Sequence, residues 1–432
     1  MMRNLETSEP QPTVQSAYDV IVIGGGPAGS TVGALVAENG YNVLVLERST
    51  FPRFHVGESL IPETYWTFKR LGVLDQLRQS AFQKKYSVQF VNENGTESAP
   101  FYFDDYNPHE CSQTWQVWRD DFDQMLLQNV AAKGAVVRTD AQVMDVMFDG
   151  DQATGVRVRF ATDKDKNTRT INCQVVVDAS GQSAFLASRL GLKITDPRLK
   201  KGSIWTYFRG AYRNSGRDEG ATIILQTKGK KSWFWYIPLA NDTVSVGVTG
   251  GMNYMLARGR GCAADIFNQE LQRCPGMAQR LQNATRCKDF FTTKDFSYKA
   301  GKAAGPGWLL VGDAFGFIDP VYSTGVFLAL KSGEFAADAI LEAFARKDFS
   351  CEQLGCWQKQ FIDGVELFRK LVYAFYTPGF SFGRFLREHP QYKTNLVDML
   401  IGNIFKPGVG EMFDAMSKVL PPVDPTVSAA SE

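Results

Sequence analysis

The chain carries its apolar residues in two rhythms. Short unbroken runs of β-branched and aliphatic residues ending in glycine predict buried strands, and residues 18–23 (YDVIVI) are the first such run. A small-residue stretch at 31–39 reads as a helix closed by Gly40, and residues 42–46 (NVLVL) give the next strand. Strand, helix and strand in that order make a βαβ unit, hence a parallel sheet. Helices are predicted over 62–71, stopped at Gly72, and over 119–133, stopped at Gly134. Residues 143–148 and 155–160 read as a strand pair turning at Asp149-Gly150-Asp151, and 170–178 returns to the first sheet.

From about 195 to 295 the pattern changes. The runs SIWTYF, TIILQ, WFWYIPL and TVSVGV predict a mostly antiparallel sheet. Residues 308–311 are again a buried strand, and from about 326 to 418 the pattern is helical. The predicted class is α/β: a Rossmann-type domain (18–194 and 296–330), an inserted β layer (195–295) and a C-terminal helical region (331–420). Residues 1–17 read as a disordered leader and 421–432 as a loose tail.

Composition narrows the partners. Lys+Arg number 47 against 46 Asp+Glu, and no polybasic run stands out, which argues against nucleic acid. No 18 apolar residues run together, so no transmembrane helix is expected. The first 17 residues lack a signal peptide's apolar core, and Cys111, Cys173, Cys262, Cys274, Cys287, Cys351 and Cys356 show no CxxC spacing. Reduced thiols in the cytoplasm are the expectation. Only His55, His109 and His389 are available as imidazole ligands, and no metal site is predicted.

Three segments point to one bound dinucleotide. Gly24-Gly25-Gly26-Pro27-Ala28-Gly29 matches GxGxxG. Gly24 permits the tight turn, Gly26 lets backbone approach a pyrophosphate, and Gly29 lets helix and strand pack closely. Pro27 and Ala28 belong to the turn that leads into a helix whose first amides favour anions. Glu47, at the end of the second strand with Arg48 beside it, is placed to accept bonds from ribose hydroxyls. The second segment ends in Asp178-Ala179-Ser180-Gly181 and the third in Gly312-Asp313-Ala314, each a buried strand running into a polar turn. Asp313 suits a ribityl chain. In this order the segments resemble the flavoprotein monooxygenase superfamily of the para-hydroxybenzoate hydroxylase type, over about residues 18 to 330. That resemblance implies FAD as cofactor, and a flavin contact for Arg119, which otherwise reads as a surface charge at a helix start.

Three further patterns look like the flavin-dependent halogenases, a branch of that superfamily. Trp233-Phe234-Trp235-Tyr236-Ile237-Pro238 fits WxWxIP. Phe317 to Gly325 fits FxxPxxSxG. Gly57-Glu58-Ser59-Leu60-Ile61-Pro62 precedes Phe82-Gln83-Lys84-Lys85. The resemblance implies a two-component enzyme that receives FADH₂ from a separate flavin reductase. With O₂ it would oxidise chloride or bromide through a peroxyflavin. Hypohalous acid would then pass by way of a lysine to an electron-rich arene. The lysine following the FxxK pattern is Lys85. A haloamine needs a neutral amine, and burial lowers a lysine's pKa. Read unaided, Lys84 and Lys85 are surface charges on opposite faces of a strand. Ser87 stands where family members often have glycine.

The resemblance places halide at Thr324 and Gly325, where backbone amides at a helix start would form an anion nest. Gly325 is also assigned to the flavin site. The bland alternative is a turn entering the next helix, and Asp319 would repel halide if it pointed inward. Lys85, Glu58, Trp233, Trp235 and Ser323 complete the catalytic set. Trp233 and Trp235 share one strand face, either walling the flavin from the substrate or packing as core aromatics. Glu58 either orients the arene or caps the helix starting near Ile61. The helical stripe Phe361, Val365, Phe368, Val372, Phe375 reads as core or as a substrate entrance. No counterpart of an indole-binding insertion is found, so a phenol, a pyrrole or a carrier-tethered aryl group is expected as substrate. The rival functions are a plain monooxygenase or isoprenoid reductase, and a non-catalytic flavin-binding protein.

Overall fold

The computed structural model describes residues 12–163 and 167–417. The tail reading, and the leader reading for residues 1–11, lie outside them. Five strands run parallel in the order Trp308–Leu310, Arg169–Asp178, Ala17–Ile23, Val43–Leu46, Val136–Arg138. Their register aligns Ile23 with both Leu46 and Asp178, and Asp178 with Leu310, so four carboxyl ends finish level. In open parallel sheets ligands bind beyond such ends. The antiparallel pair Ala141–Asp149 and Gln152–Phe160 extends the sheet by pairing with Arg169–Asp178.

The helix expected over 31–39 instead spans Pro27–Ala37. Proline suits the first helical position because its φ is preset and no donor is wasted there. All of its residues are buried. Gly29 is required within it, since a Cβ there would lie 2.0 Å from the Gly24 carbonyl oxygen.

The second sheet follows the order Gly316–Phe317, Phe291–Ala300, Lys193–Arg209, Thr243–Gly251, Ser232–Leu239, Thr222–Gln226, Ser87–Val91, Phe101–Tyr102. All neighbours are antiparallel except Thr222–Gln226 with Ser87–Val91. Two of its strands thus come from well before residue 195. The stretch 252–280, expected to be mostly strand, contains the helices Met252–Met255, Ala263–Gln272 and Pro275–Arg280. They explain why Ser232–Leu239 is buried throughout. Trp233, Trp235 and Ile237 join the main core, while Phe234 and Tyr236 join a second core with Val246, Val248 and Phe267.

Two long helices, Gly325–Arg346 and Gln358–Tyr376, lead the C-terminal region. Within the predicted stripe Phe361, Phe368 and Val372 are core. Phe375 meets Trp233 and Tyr322 edge-on, each at 6.1 Å. Among the described residues no helix is long and apolar enough to cross a membrane.

Candidate active site

A cavity of about 450 Å³ opens at the carboxyl ends of the parallel strands and is lined from both sheets. Gly24, Gly26, Pro27, Ala28, Glu47, Arg48, Arg119, Gly181, Asp313, Ser323 and Gly325 all line it, as do Glu58, Trp233 and Trp235.

At one end the cavity meets two helix starts, Pro27–Ala37 and Gly325–Arg346. First-turn amides have no acceptor within their own helix, so both ends favour an anion. A Cβ at Gly325 would meet nothing within 4 Å, and one at Gly26 only the Arg53 guanidinium at 3.3 Å. Glu47 Oε2 accepts from the Gly25 amide at 3.0 Å and Oε1 from the Ser49 amide at 2.8 Å. Its carboxylate thereby ties the glycine turn to the end of the second strand. Arg119 is buried and pairs with both oxygens of Asp123, at 2.8 and 3.0 Å. It also donates to the Val56 carbonyl at 2.7 Å, pinning the loop that precedes Glu58. The surface-charge reading of Arg119 is therefore corrected. This cradle of backbone amides and small residues fits a flavin dinucleotide.

Some predicted residues stand behind the wall rather than in it. Asp178 is fully buried and accepts from the amides of Ser180 at 2.9 Å and Leu186 at 2.7 Å. It shapes the turn whose Ala179 to Ser183 line the cavity, so its expected direct cofactor contact is corrected. Gly29 and Gly312 are packing positions: Gly312 lies under Ala28 and donates to Ser332 Oγ at 2.8 Å. Thr324 is buried beside Gly325 without lining the cavity. Asp319 is turned from the cavity, its Oδ2 accepting from the Tyr376 hydroxyl at 2.9 Å and its Oδ1 from the Val321 amide at 3.2 Å.

One wall is indole. Trp233 lies 6.3 Å from Trp235, which lies 6.4 Å from Trp205. Gly247 makes room for this wall, since a Cβ there would sit 2.2 Å from the Trp235 ring. Trp233 Nε1 donates to Tyr376 at 2.8 Å and Trp235 Nε1 to Ser245 at 3.2 Å. Trp205 Nε1 is buried with no partner among the protein atoms.

Glu58 does not cap a helix, because the nearest one begins at Thr64 behind Glu63. Its Oε1 accepts from the Tyr207 hydroxyl at 2.6 Å, while Oε2 has no partner. Burial pushes its pKa up to about 7.

Lys85 is the last residue of the strand Gln83–Lys85, paired with Thr114–Gln116. Lys84 is exposed and Lys85 is 2% exposed, so the surface reading holds for the first and fails for the second. Nζ donates to Ser59 Oγ at 2.9 Å and to the Leu60 carbonyl at 2.8 Å, and it faces the Phe103 ring at 5.5 Å. None of these partners is anionic, so burial alone lowers its pKa to about 7. Lys85 does not itself line the cavity; Ser59 stands between them.

Sequence reasoning passed over Ser59, Thr222, Trp205, Tyr207 and Tyr376. Ser59 lies inside a motif that was read for its glutamate. Trp205 and Tyr207 alternate along a strand as Trp233 and Trp235 do, which was the available signal. Tyr376 closes the apolar stripe, but its contact with Trp233 spans 143 positions and leaves no local trace.

The model of the FAD-binding-domain family matches residues 17–331. The chain is 28% identical to the 1H-pyrrole-2-carbonyl-(peptidyl-carrier protein) chlorinase of Pseudomonas fluorescens, over 94% of each chain. It is 30% identical to the corresponding brominase of Pseudoalteromonas luteoviolacea, over 90% of this chain and 93% of that one. The structure of a flavin-dependent brominase superposes with a TM-score of 0.83 at 28% identity, covering 93% of this chain and 99% of the other. The myxobacterial chondrochloren halogenase gives 0.76 at 28% identity, covering 96% and 99%.

Proposed function

This chain belongs to the FAD-dependent halogenases, and from that premise we propose that it halogenates a pyrrole- or phenol-type ring, presented on a carrier protein, using reduced flavin delivered by a separate reductase. The observation that carries this reading is Lys85: a buried amine with only neutral partners, one serine away from a cavity that fits a flavin. When bound, the reduced flavin supplies with O₂ the two-electron oxidation of halide to hypohalous acid. The remaining roles fall to this chain's own groups.

Halide binds where the first amides of Gly325–Arg346 open on the cavity. Asp319, held by Tyr376 and the Val321 amide, keeps its charge away from that position. The indole wall of Trp205, Trp233 and Trp235 excludes the arene from the flavin side. Hypohalous acid reaches Lys85, whose neutral amine takes the halogen and releases water. Halogen then passes to the ring, and the ring proton, taken up by a base, is handed to the lysine nitrogen, which returns the neutral amine. Glu58, with one unpartnered oxygen and a pKa near neutrality, is assigned that proton or the orientation of the acid. The carrier-bound substrate is favoured by the two pyrrolyl-carrier relatives, which align along nearly the full chain.

The test is reconstitution with a flavin reductase, NADH and bromide or chloride, on free pyrrole and phenol panels and on pyrrole-2-carbonyl carrier protein. Halogenated carrier product, lost in Lys85→Ala, is expected. Product from free arenes only would remove the carrier. Halogenation by Lys85→Ala at the wild-type rate would remove the lysine. Direct NADH oxidation without the reductase would remove the two-component assignment.

A further inference from the structure

The Lys85 ammonium must shed a proton before its nitrogen can accept halogen, and it is enclosed. Of its three donors, one meets the Leu60 carbonyl, which cannot pass a proton on, and one faces the Phe103 ring. The third meets Ser59 Oγ at 2.9 Å. Ser59 Oγ in turn lies 2.8 Å from Thr222 Oγ1, and both residues line the cavity. Gln116 Nε2 donates to Thr222 Oγ1 at 2.8 Å and to the Gly220 carbonyl at 2.9 Å, which fixes one side of the threonine oxygen. A hydroxyl has one proton and two lone pairs. The Ser59–Thr222 bond can run in either direction; when Ser59 donates alongside Gln116, the threonine proton is directed elsewhere, and the cavity is the side that it lines. Ser59 is itself held by a strand-type bridge to Gln116.

We propose that Ser59 and Thr222 form a hydroxyl relay that carries the Lys85 ammonium proton to water in the cavity. This rests on the reading above, in which the neutral Lys85 amine accepts halogen. One proton passes from Lys85 Nζ to Ser59 Oγ as the Ser59 proton passes to Thr222 Oγ1 and the Thr222 proton to water. Both hydroxyls stay neutral and end in reversed orientation, and the amine keeps its lone pair. The amine and hypohalous acid then give the haloamine and water, with the N–halogen bond formed and the O–halogen bond broken. The reverse passage resets the pair. Ser59 and Thr222 act here through Lys85 and are positioning residues.

The experiment follows single-turnover product formation in H₂O and D₂O for wild type, Ser59→Ala, Ser59→Thr, Thr222→Val, Thr222→Ser and Lys85→Ala. Removing either hydroxyl is expected to slow product formation about tenfold or more and to enlarge the solvent isotope effect, because proton exit then limits the step. Ser59→Thr and Thr222→Ser keep a hydroxyl and are expected to recover most of the rate. A merely structural contact would not move the isotope effect. If Ser59→Ala and Thr222→Val match wild type in rate and isotope effect while Lys85→Ala is inactive, the relay is overturned and the lysine role stands. If the threonine and serine variants are as slow as the alanine and valine ones, the sites act by shape and the relay is likewise overturned. If Lys85→Ala retains halogenation, the lysine reading falls and the relay with it.

Discussion

The two ends of the cavity are built on opposite electrostatic rules. At the dinucleotide end the buried charges are matched. Arg119 grips both oxygens of Asp123, Arg53 approaches the same carboxylate at 3.3 Å, and Glu47 is held by two backbone amides. At the lysine end the buried amine is left with neutral partners. Lys85 meets a hydroxyl, a carbonyl and a ring. The matched end satisfies its charges with paired bonds and presents a fixed cradle. The unmatched end lowers the pKa of a buried amine to about 7, where proton transfer is easiest. A cofactor site profits from satisfied charges, whereas a reacting site needs groups that change charge.

The comparison breaks most sharply at Lys85. Lys85→Ala is expected to cut halogenated product on the order of 10³-fold while FAD affinity, read by fluorescence titration, stays at the wild-type value. In the wild type the single-turnover rate should rise with pH through about 7 and then level, since the pKa is lowered and the neutral amine dominates above it. A profile flat from acid to alkaline pH would contradict the neutral-amine role.

At the opposite end Gly29→Ala should act on the cofactor. Its Cβ would collide with the Gly24 carbonyl at 2.0 Å, and FAD affinity should fall on the order of 100-fold. Product and flavin binding should then be lost together. Glu58→Gln keeps the shape and removes the charge. Product formation should fall by about tenfold with unchanged FAD affinity, a loss in kcat rather than in binding. Full activity in this variant would remove Glu58 from the reaction.

The smallest effect is on stability. A lysine whose folded pKa lies below its unfolded value costs stability in full below about pH 7, and the cost fades as pH rises toward 10.5. Lys85→Met should therefore raise Tm by about 2 °C or more at pH 7, with the gain shrinking at higher pH. A Tm below wild type across that range would show that the amine's hydrogen bonds outweigh its burial.

Much of this was legible in the chain. The parallel strands, the glycine turn and the alternation of Trp233 and Trp235 against Phe234 and Tyr236 are periodic features, and periodicity is a local signal. The helix begins at Pro27, four residues before the expected Thr31, because proline and glycine here serve a first turn and a close backbone approach. The helices within 252–280 were missed, and so was the recruitment of Ser87–Val91 into the second sheet, since a pairing as distant along the chain as Val88 with Thr222 is not written locally.

What the sequence determined by itself is the cofactor domain, the family and which lysine stands at the FxxK position, because backbone geometry and motif spacing constrain residue types position by position. What only the tertiary structure decided is the state of those groups. Lys85 is buried with neutral partners, Glu58 keeps one oxygen unpartnered, Asp319 is turned away, and Ser59 with Thr222 links the lysine to the cavity. The physical reason is that a pKa and a proton path depend on dielectric and on neighbours brought together from distant parts of the chain.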